Sequence, residues 1–371
     1  MRIGLLYSLA EKNLTGINRL TKGTLLEVIR TDRKNEYYSL DDNYLNLDID
    51  STQPYLLELS SRDRRLSDTQ LTDTMAKLMD LKIYANDIQL IHSYYKPFDT
   101  MKSKCKKVIT IYDITPSVHP EWARGKEYYD TAIKKSAECA DQIIAISKYT
   151  KTDLVNYYNI KPDKITVIYP GVDTNLQFDM VDELLLPKQV KANDYILSVC
   201  SLAPHKNLQG VIDGFANFKR QHTDSSLKLV LCGRPIPGHD LMKYIETLNH
   251  IKEDIIFTGF IDDLQLTALY KYAVGVAYIS FYEGFGLPIL EAMAAGKAVI
   301  SSDTTSMPEV GGEAVLYCNP YSSDSILEAI STLVLDDTKR KEMEKQGALQ
   351  SKKFSYKKAA QETIELYQKL V

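Results

Sequence analysis

SFYEGFGLPILEAMAAGKAVISS, residues 280–302, decides how the rest of the chain is read. An apolar run, Val276 to Ile279, leads into it. A glycine-punctuated loop follows with Glu283, Gly284 and Gly286, and then Pro288 opens a helix-forming run to Ala295. Proline is tolerated in a first helical turn, and Gly296 stands where a helix ends. The segment therefore reads as strand, tight loop, short helix, strand, with Glu283 in the loop and Glu291 near the start of the helix. A helix N-terminus offers unpaired N–H groups and the positive end of the helix dipole, which suits an anion, typically a phosphate. Two carboxylates beside such a site do not bind phosphate. They suit hydroxyl groups, such as those a nucleotide sugar carries on its ribose and its hexose.

Two glutamates separated by seven residues around Gly-Phe-Gly-Leu-Pro resemble the signature of the retaining glycosyltransferases of group 1, which use nucleotide-sugar donors. Mannosyltransferase-like enzymes of bacterial surface polysaccharides are among them. The bland alternative is an ordinary Rossmann-type crossover with surface glutamates. The resemblance implies an α/β fold of GT-B type: two Rossmann-like domains facing across a cleft, with a C-terminal helix returning to the N-terminal domain. The expected division is 1–185, 186–354 and a crossover helix over 355–371.

The bounds agree with that fold. A chain of 371 residues fits two domains of ordinary size. A net charge of −4 provides no basic field for nucleic acid. The five cysteines are scattered without metal-ligand spacing, so they read as reduced, mostly buried thiols of a cytoplasmic protein, and no metal is expected. No apolar run reaches membrane-spanning length. Lys102, Lys104, Lys106 and Lys107 leave a peripheral contact at the inner membrane face open, against the plainer reading of a solvated strand approach. Tyrosine doublets recur among the 25 tyrosines. They suit sugar faces or half-buried surface alike.

In the first half, Ile3 to Tyr7 reads as a buried parallel strand and residues from Thr15–Asn18 open a helix, with Gly16 in the turn between. Similar enzymes place this glycine loop beneath the donor diphosphate. Residues 31 to 80, with Arg62, Arg64 and Arg65, carry no assignable pattern. Strands are expected at 88–92, 107–111, 142–147 and 164–168, and helices at 126–140 and 150–158. Asp113 follows a strand end, where open α/β sheets bind ligands. Many relatives have His-Asp here, whereas this chain has Tyr112-Asp113. Tyrosine donates one hydrogen bond but is no base near neutral pH, so Asp113 is carried over from the family and Tyr112 is expected to wall the sugar pocket. His119 before a proline reads as structural. Gly171 and Asp173 match a turn that closes the N-terminal domain in relatives, and a linker is expected over 176–193.

The second half restarts with a strand at 195–200, then Ala203-Pro204-His205-Lys206-Asn207 and an amphipathic helix that Asn207 is expected to cap. Lys206, at a strand end and a helix mouth, is placed to pair with a diphosphate as a point charge. The family pattern here is Glu-Pro-Arg-Lys-Asn, so Lys206 and Asn207 match while His205 stands in place of arginine. Phe260 and Ile261 are expected near a nucleotide base, and Ser355 caps a last amphipathic helix.

The resulting expectation is hexosyl transfer, mannose favoured, from a nucleoside diphosphate sugar to a hydroxyl of a glycan or lipid-linked acceptor, with retention. The carrier is expected to be guanosine first and uridine next. Catalytic roles fall to Glu283, Asp113 and Lys206. The donor is expected to meet Gly16, Tyr112, His205, Lys206, Asn207, Gly284, Phe285, Gly286, Leu287 and Glu291. No cofactor is expected beyond the nucleotide sugar as co-substrate. Alternatives are a non-catalytic GT-B protein that binds a nucleotide sugar or a partner transferase, and a sugar-nucleotide epimerase.

Overall fold

The computed structural model describes residues 1–7, 16–40, 56–58, 77, 79–122, 125–172, 178, 181–234, 241–248 and 250–371. Thr15, Arg62, Arg64, Arg65 and Asp173 lie outside these. The chain divides into two compact units, Met1–Gly171 with Phe354–Val371, and Val172–Lys353.

The first unit holds a seven-stranded parallel sheet in the order β3-β2-β1-β4-β5-β6-β7. Its strands are β1 (Arg2–Leu6), β2 (Glu36–Ser39), β3 (Leu56–Glu58), β4 (Leu90–Tyr94), β5 (Lys106–Ile111), β6 (Gln142–Ala145) and β7 (Ile165–Val167). Alternate side chains feed opposite faces, as the two-residue period of a strand requires. Val108 enters one hydrophobic cluster and Ile109 the other. The helices used below are α1 (Gly16–Thr31) and α2 (Lys148–Tyr158). The helix expected over 126–140 is interrupted by a π-helical turn at Tyr129–Ile133 and stops at Cys139.

The second unit holds a six-stranded parallel sheet in the order β10-β9-β8-β11-β12-β13. Its strands are β8 (Tyr195–Val199), β9 (Lys228–Cys232), β10 (Ile255–Gly259), β11 (Gly275–Tyr278), β12 (Val299–Ser302) and β13 (Leu316–Cys318). Its helices include α3 (Leu208–Gln221), α4 (Asp263–Tyr272), α5 (Leu287–Ala294), α6 (Ser323–Leu335) and α7 (Asp337–Ser351). This is the doubly wound order, and its strand sequence reverses between β8 and β11. The crevice outside the carboxyl ends at such a reversal is where these sheets bind ligands.

The division falls earlier than the expected boundary after 185. Residues beyond Gly171 are already tied to the second unit: Lys271 Nζ of α4 donates to the carbonyls of Phe178 and Val181 at 2.8 Å each. Helix α8 (Tyr356–Leu370), capped by Ser355 as expected, packs with the first unit. Gly171 explains how it enters. A Cβ there would collide with the backbone of Ser355 and Tyr356, so only glycine lets the returning chain lie against this turn.

Candidate functional site

In the second unit, Lys206 and Glu283 meet at the sheet's reversal point. Lys206 ends a single 3-10 turn (Pro204–Lys206) after β8, and Glu283 lies in the loop after β11. The two strands are hydrogen-bonded neighbours, which brings residues distant in sequence to one crevice edge. Lys206 Nζ donates to both Glu283 carboxylate oxygens, at 2.7 and 2.8 Å, and to the Tyr278 hydroxyl at 3.3 Å. It also stands 5.7 Å over the Tyr278 ring. Burial opposes ionisation of Glu283, but the charge of Lys206, aided by His205, outweighs it and holds the carboxyl below its ordinary range. The sequence reading assigned Lys206 to a diphosphate and Glu283 to a sugar separately; the structure couples them.

A row of hydroxyls holds the Glu283 loop against the segment after β12. Ser302 Oγ donates to the Ser280 carbonyl at 2.5 Å. Thr305 Oγ1 accepts from the Glu283 N–H at 3.2 Å, and Ser306 Oγ lies 2.9 Å from the carbonyls of both Glu283 and Phe285. Gly284, Phe285, Gly286 and Leu287 are buried beneath it. Gly286, at φ 109°, adopts the left-handed backbone that favours glycine, and no side chain caps α5. Glu291 is buried on α5 and accepts from the Tyr270 hydroxyl of α4 at 2.8 Å.

Asn207 departs from its expected role. It sits at φ 52° with no side-chain cap on α3, and its amide instead donates to the Pro320 carbonyl at 2.9 Å. The side chain lies over Gly210 in the first turn of α3, where a Cβ would collide with it, without bonding a helix N–H. His205 is half-buried and its carbonyl accepts from the Phe281 N–H at 2.8 Å. Phe260 is exposed and carries the Arg234 guanidinium 4.9 Å over its ring, a cation–π arrangement.

In the first unit, Gly16 is the exposed first residue of α1 rather than a turn residue. Tyr112 is 3% exposed, and its hydroxyl meets Thr21 Oγ1. It is a core residue, not the open wall of a sugar pocket. Burial raises its phenol well above the ordinary value. Asp113 is half-buried; its Oδ1 accepts from the Thr115 N–H at 2.9 Å, which starts the following helical turn. Its carbonyl accepts from the Tyr95 hydroxyl at 2.9 Å. His119 stacks on Trp122 at 4.0 Å between ring centres, in keeping with a structural reading. Among the described residues no group of His, Cys, Asp and Glu side chains could hold a metal ion. Of the thiols, Cys232 and Cys318 are buried, Cys105 and Cys200 intermediate, and Cys139 exposed.

Residues 186–350 match the family described as Glycosyl transferases group 1, and residues 46–176 match Glycosyltransferase Family 4. The O-antigen chain mannosyltransferase B of Escherichia coli is 29% identical over 272 residues, 71% of each chain. The O-antigen chain mannosyltransferase RfbU of Salmonella typhimurium is 31% identical over 61% of this chain and 60% of its own. The serotype-specific mannosyltransferase WbdA of E. coli is 28% identical over 72% of this chain, which spans 34% of that protein. Among solved structures, Anabaena Alr3699/HepE in complex with UDP and glucose superposes with TM-score 0.74 at 18% identity, covering 100% of both chains. The glycosyltransferase WaaG gives 0.71 at 12%, covering 99% of both.

The chain belongs to the GT-B glycosyltransferases. In this glycosyltransferase, sequence reasoning missed Tyr278, Tyr270 and the Ser302 hydroxyl, while Thr305 and Ser306 open a stretch, Thr305 to Gly312, that resembles the family. Both tyrosines sit at buried positions of their elements, where the pattern marks them only as core. The hydroxyl run SSDTTS, residues 301–306, was the visible signal, since so many small donors after a strand need acceptors.

Proposed function

We propose that this glycosyltransferase moves a hexose, mannose favoured, from a nucleoside diphosphate sugar to a hydroxyl of a glycan or lipid-linked acceptor, with retention at the anomeric carbon. The observation that carries the reading is the Lys206–Glu283 pair at the β8–β11 reversal point, next to the start of α5. It supplies a cation for the departing diphosphate and a carboxylate for sugar hydroxyls in one place. The O-antigen mannosyltransferases favour mannose, and hence a guanosine carrier, whereas the HepE complex contains UDP and keeps uridine next.

In this mechanism the acceptor oxygen attacks the anomeric carbon from the face the diphosphate leaves. The bond from the anomeric carbon to the phosphate oxygen breaks, and that oxygen takes the acceptor's proton. Charge grows on the leaving group, where Lys206 and the N–H groups at the start of α5 stabilise it by roughly 3 kcal/mol per well-aimed donor. Glu283 holds the hexose hydroxyls. Glu291, oriented by Tyr270, holds the ribose hydroxyls. Asp113 serves on the acceptor side. The nucleotide sugar is the co-substrate and no resident cofactor takes part. The setting is the cytoplasmic assembly of a surface polysaccharide, with a peripheral contact at the membrane face; among the described residues no helix is long and apolar enough to cross a membrane.

The test is incubation of the purified chain with a mannose-terminated acceptor such as α-mannobiose and GDP-mannose or, separately, UDP-glucose. Nucleoside diphosphate release and the anomeric configuration of the product by NMR are the readouts. An α-linked product from an α-configured donor supports the proposal, and a β-linked product removes the retaining mechanism. Nucleotide binding without any release would favour the non-catalytic alternative, which the replacement of arginine by His205 and the core position of Tyr112 motivate.

A further inference from the structure

We propose that the second unit carries a separate sugar-binding pocket behind the loop that presents Lys206. A cavity of about 460 Å³ lies between the start of α3 and the turn that enters α6. That is the size of a small-molecule site. One wall is the far side of the Ala203–Asn207 loop, which the Asn207 amide fastens to the Pro320 carbonyl.

The lining chemistry selects the ligand. Phe281 and Tyr321 stack at 4.7 Å with their planes 19° apart. Tyr321 is nevertheless 68% exposed, so Phe281 backs the ring while much of it remains open. Beside this platform stand Gln209 and Ser323, both exposed, and Asp213, which accepts from the Tyr244 hydroxyl. Asp213 carries the only formal charge among the described lining residues. Among the described residues the wall is negative and holds no cation, which disfavours phosphates and nucleotides. An aromatic face with amide, hydroxyl and carboxylate partners around it fits the C–H face and rim of a neutral hexose. The identification of that hexose with a unit of the growing glycan rests on the transferase reading above.

The experiment measures binding of α-mannobiose to the full chain by saturation-transfer NMR, with and without excess nucleoside diphosphate. Tyr321→Ala and Gln209→Ala alter exposed side chains, and equal melting midpoints verify that both variants are folded. Binding that survives the nucleotide and weakens about fivefold or more in each variant is the expected result, the scale of losing one stacking or polar contact. No binding by the wild type, displacement by the nucleotide, or equal binding by all three proteins would overturn the pocket. Nucleoside diphosphate release from the donor is measured on the same samples. Tyr321-dependent binding without release would refute the transferase reading while the pocket stands, and release without such binding would do the reverse.

Discussion

Lys206 Nζ sits 2.7 and 2.8 Å from the two carboxylate oxygens of Glu283, 77 positions away in the chain. Their side chains are only 15% and 10% exposed. A pair this buried carries a desolvation cost that its attraction offsets only while both partners are present. Stability and function are therefore coupled at this site.

Replacing one partner should harm the fold as well as turnover. Lys206→Ala leaves the carboxylate buried without its cation, and a loss of about 3 kcal/mol or more is expected in urea unfolding. Adding Glu283→Gln should recover much of that stability, because the stranded charge is gone. Turnover in the double variant should stay at least about tenfold down. Recovery of both properties would remove Lys206 and Glu283 from the chemistry.

Tyr278 should act through Lys206. Tyr278→Phe keeps the ring and loses the oxygen, while Tyr278→Leu loses both. Turnover is expected to fall in the order wild type, Phe, Leu, with the KM for acceptor unchanged. Equal values in Phe and Leu variants would show that only bulk matters there.

Tyr270 orients Glu291, so Tyr270→Phe should raise the KM for the donor about tenfold or more, the worth of one hydrogen bond to a charged group. The KM for acceptor should not move. An unchanged donor KM would separate Glu291 from the nucleotide.

His92 and Glu283 are two of the groups that make stability depend on pH. His92 is fully buried between the Tyr367 hydroxyl and Thr110 Oγ1, and burial lowers its pKa from 6.5 to about 3. In the unfolded chain it protonates near 6.5; in the native state it stays neutral. The contribution of His92 to stability is therefore complete above 6.5 and is lost toward pH 3, by up to about 1.4 kcal/mol per pH unit. Glu283, held low, adds a loss only below the ordinary carboxyl range. Melting midpoints at pH 7 and pH 5 should differ less in His92→Gln than in the wild type, and an equal difference would refute this account.

Gly171→Ala places a methyl group against the backbone of Ser355 and Tyr356. Overpacking of this kind costs about 1–3 kcal/mol. The expected sign is a lower melting midpoint with faster proteolysis ahead of α8. An unchanged midpoint would mean that the returning segment can shift.

By itself, the sequence determined what neighbouring residues decide. Apolar runs of strand length, Pro288 and Gly296 around a helix, and the glycines of the 283–286 loop act over a few residues, and the strand, loop, helix and strand around Glu283 formed where their pattern lay. The same locality allowed Glu283, Glu291 and Lys206 to be singled out. Only the tertiary structure decided that Lys206 reaches Glu283, that Glu291 takes the Tyr270 hydroxyl, and that the Asn207 amide bonds the Pro320 carbonyl instead of capping α3. Sheet order and strand register create those pairs, and neither is written in any single window of the chain. Tyr112 makes the point from the other side: its strand-end position was legible, but whether its ring faced an opening or the core depended on Thr21 and α1 packing over it.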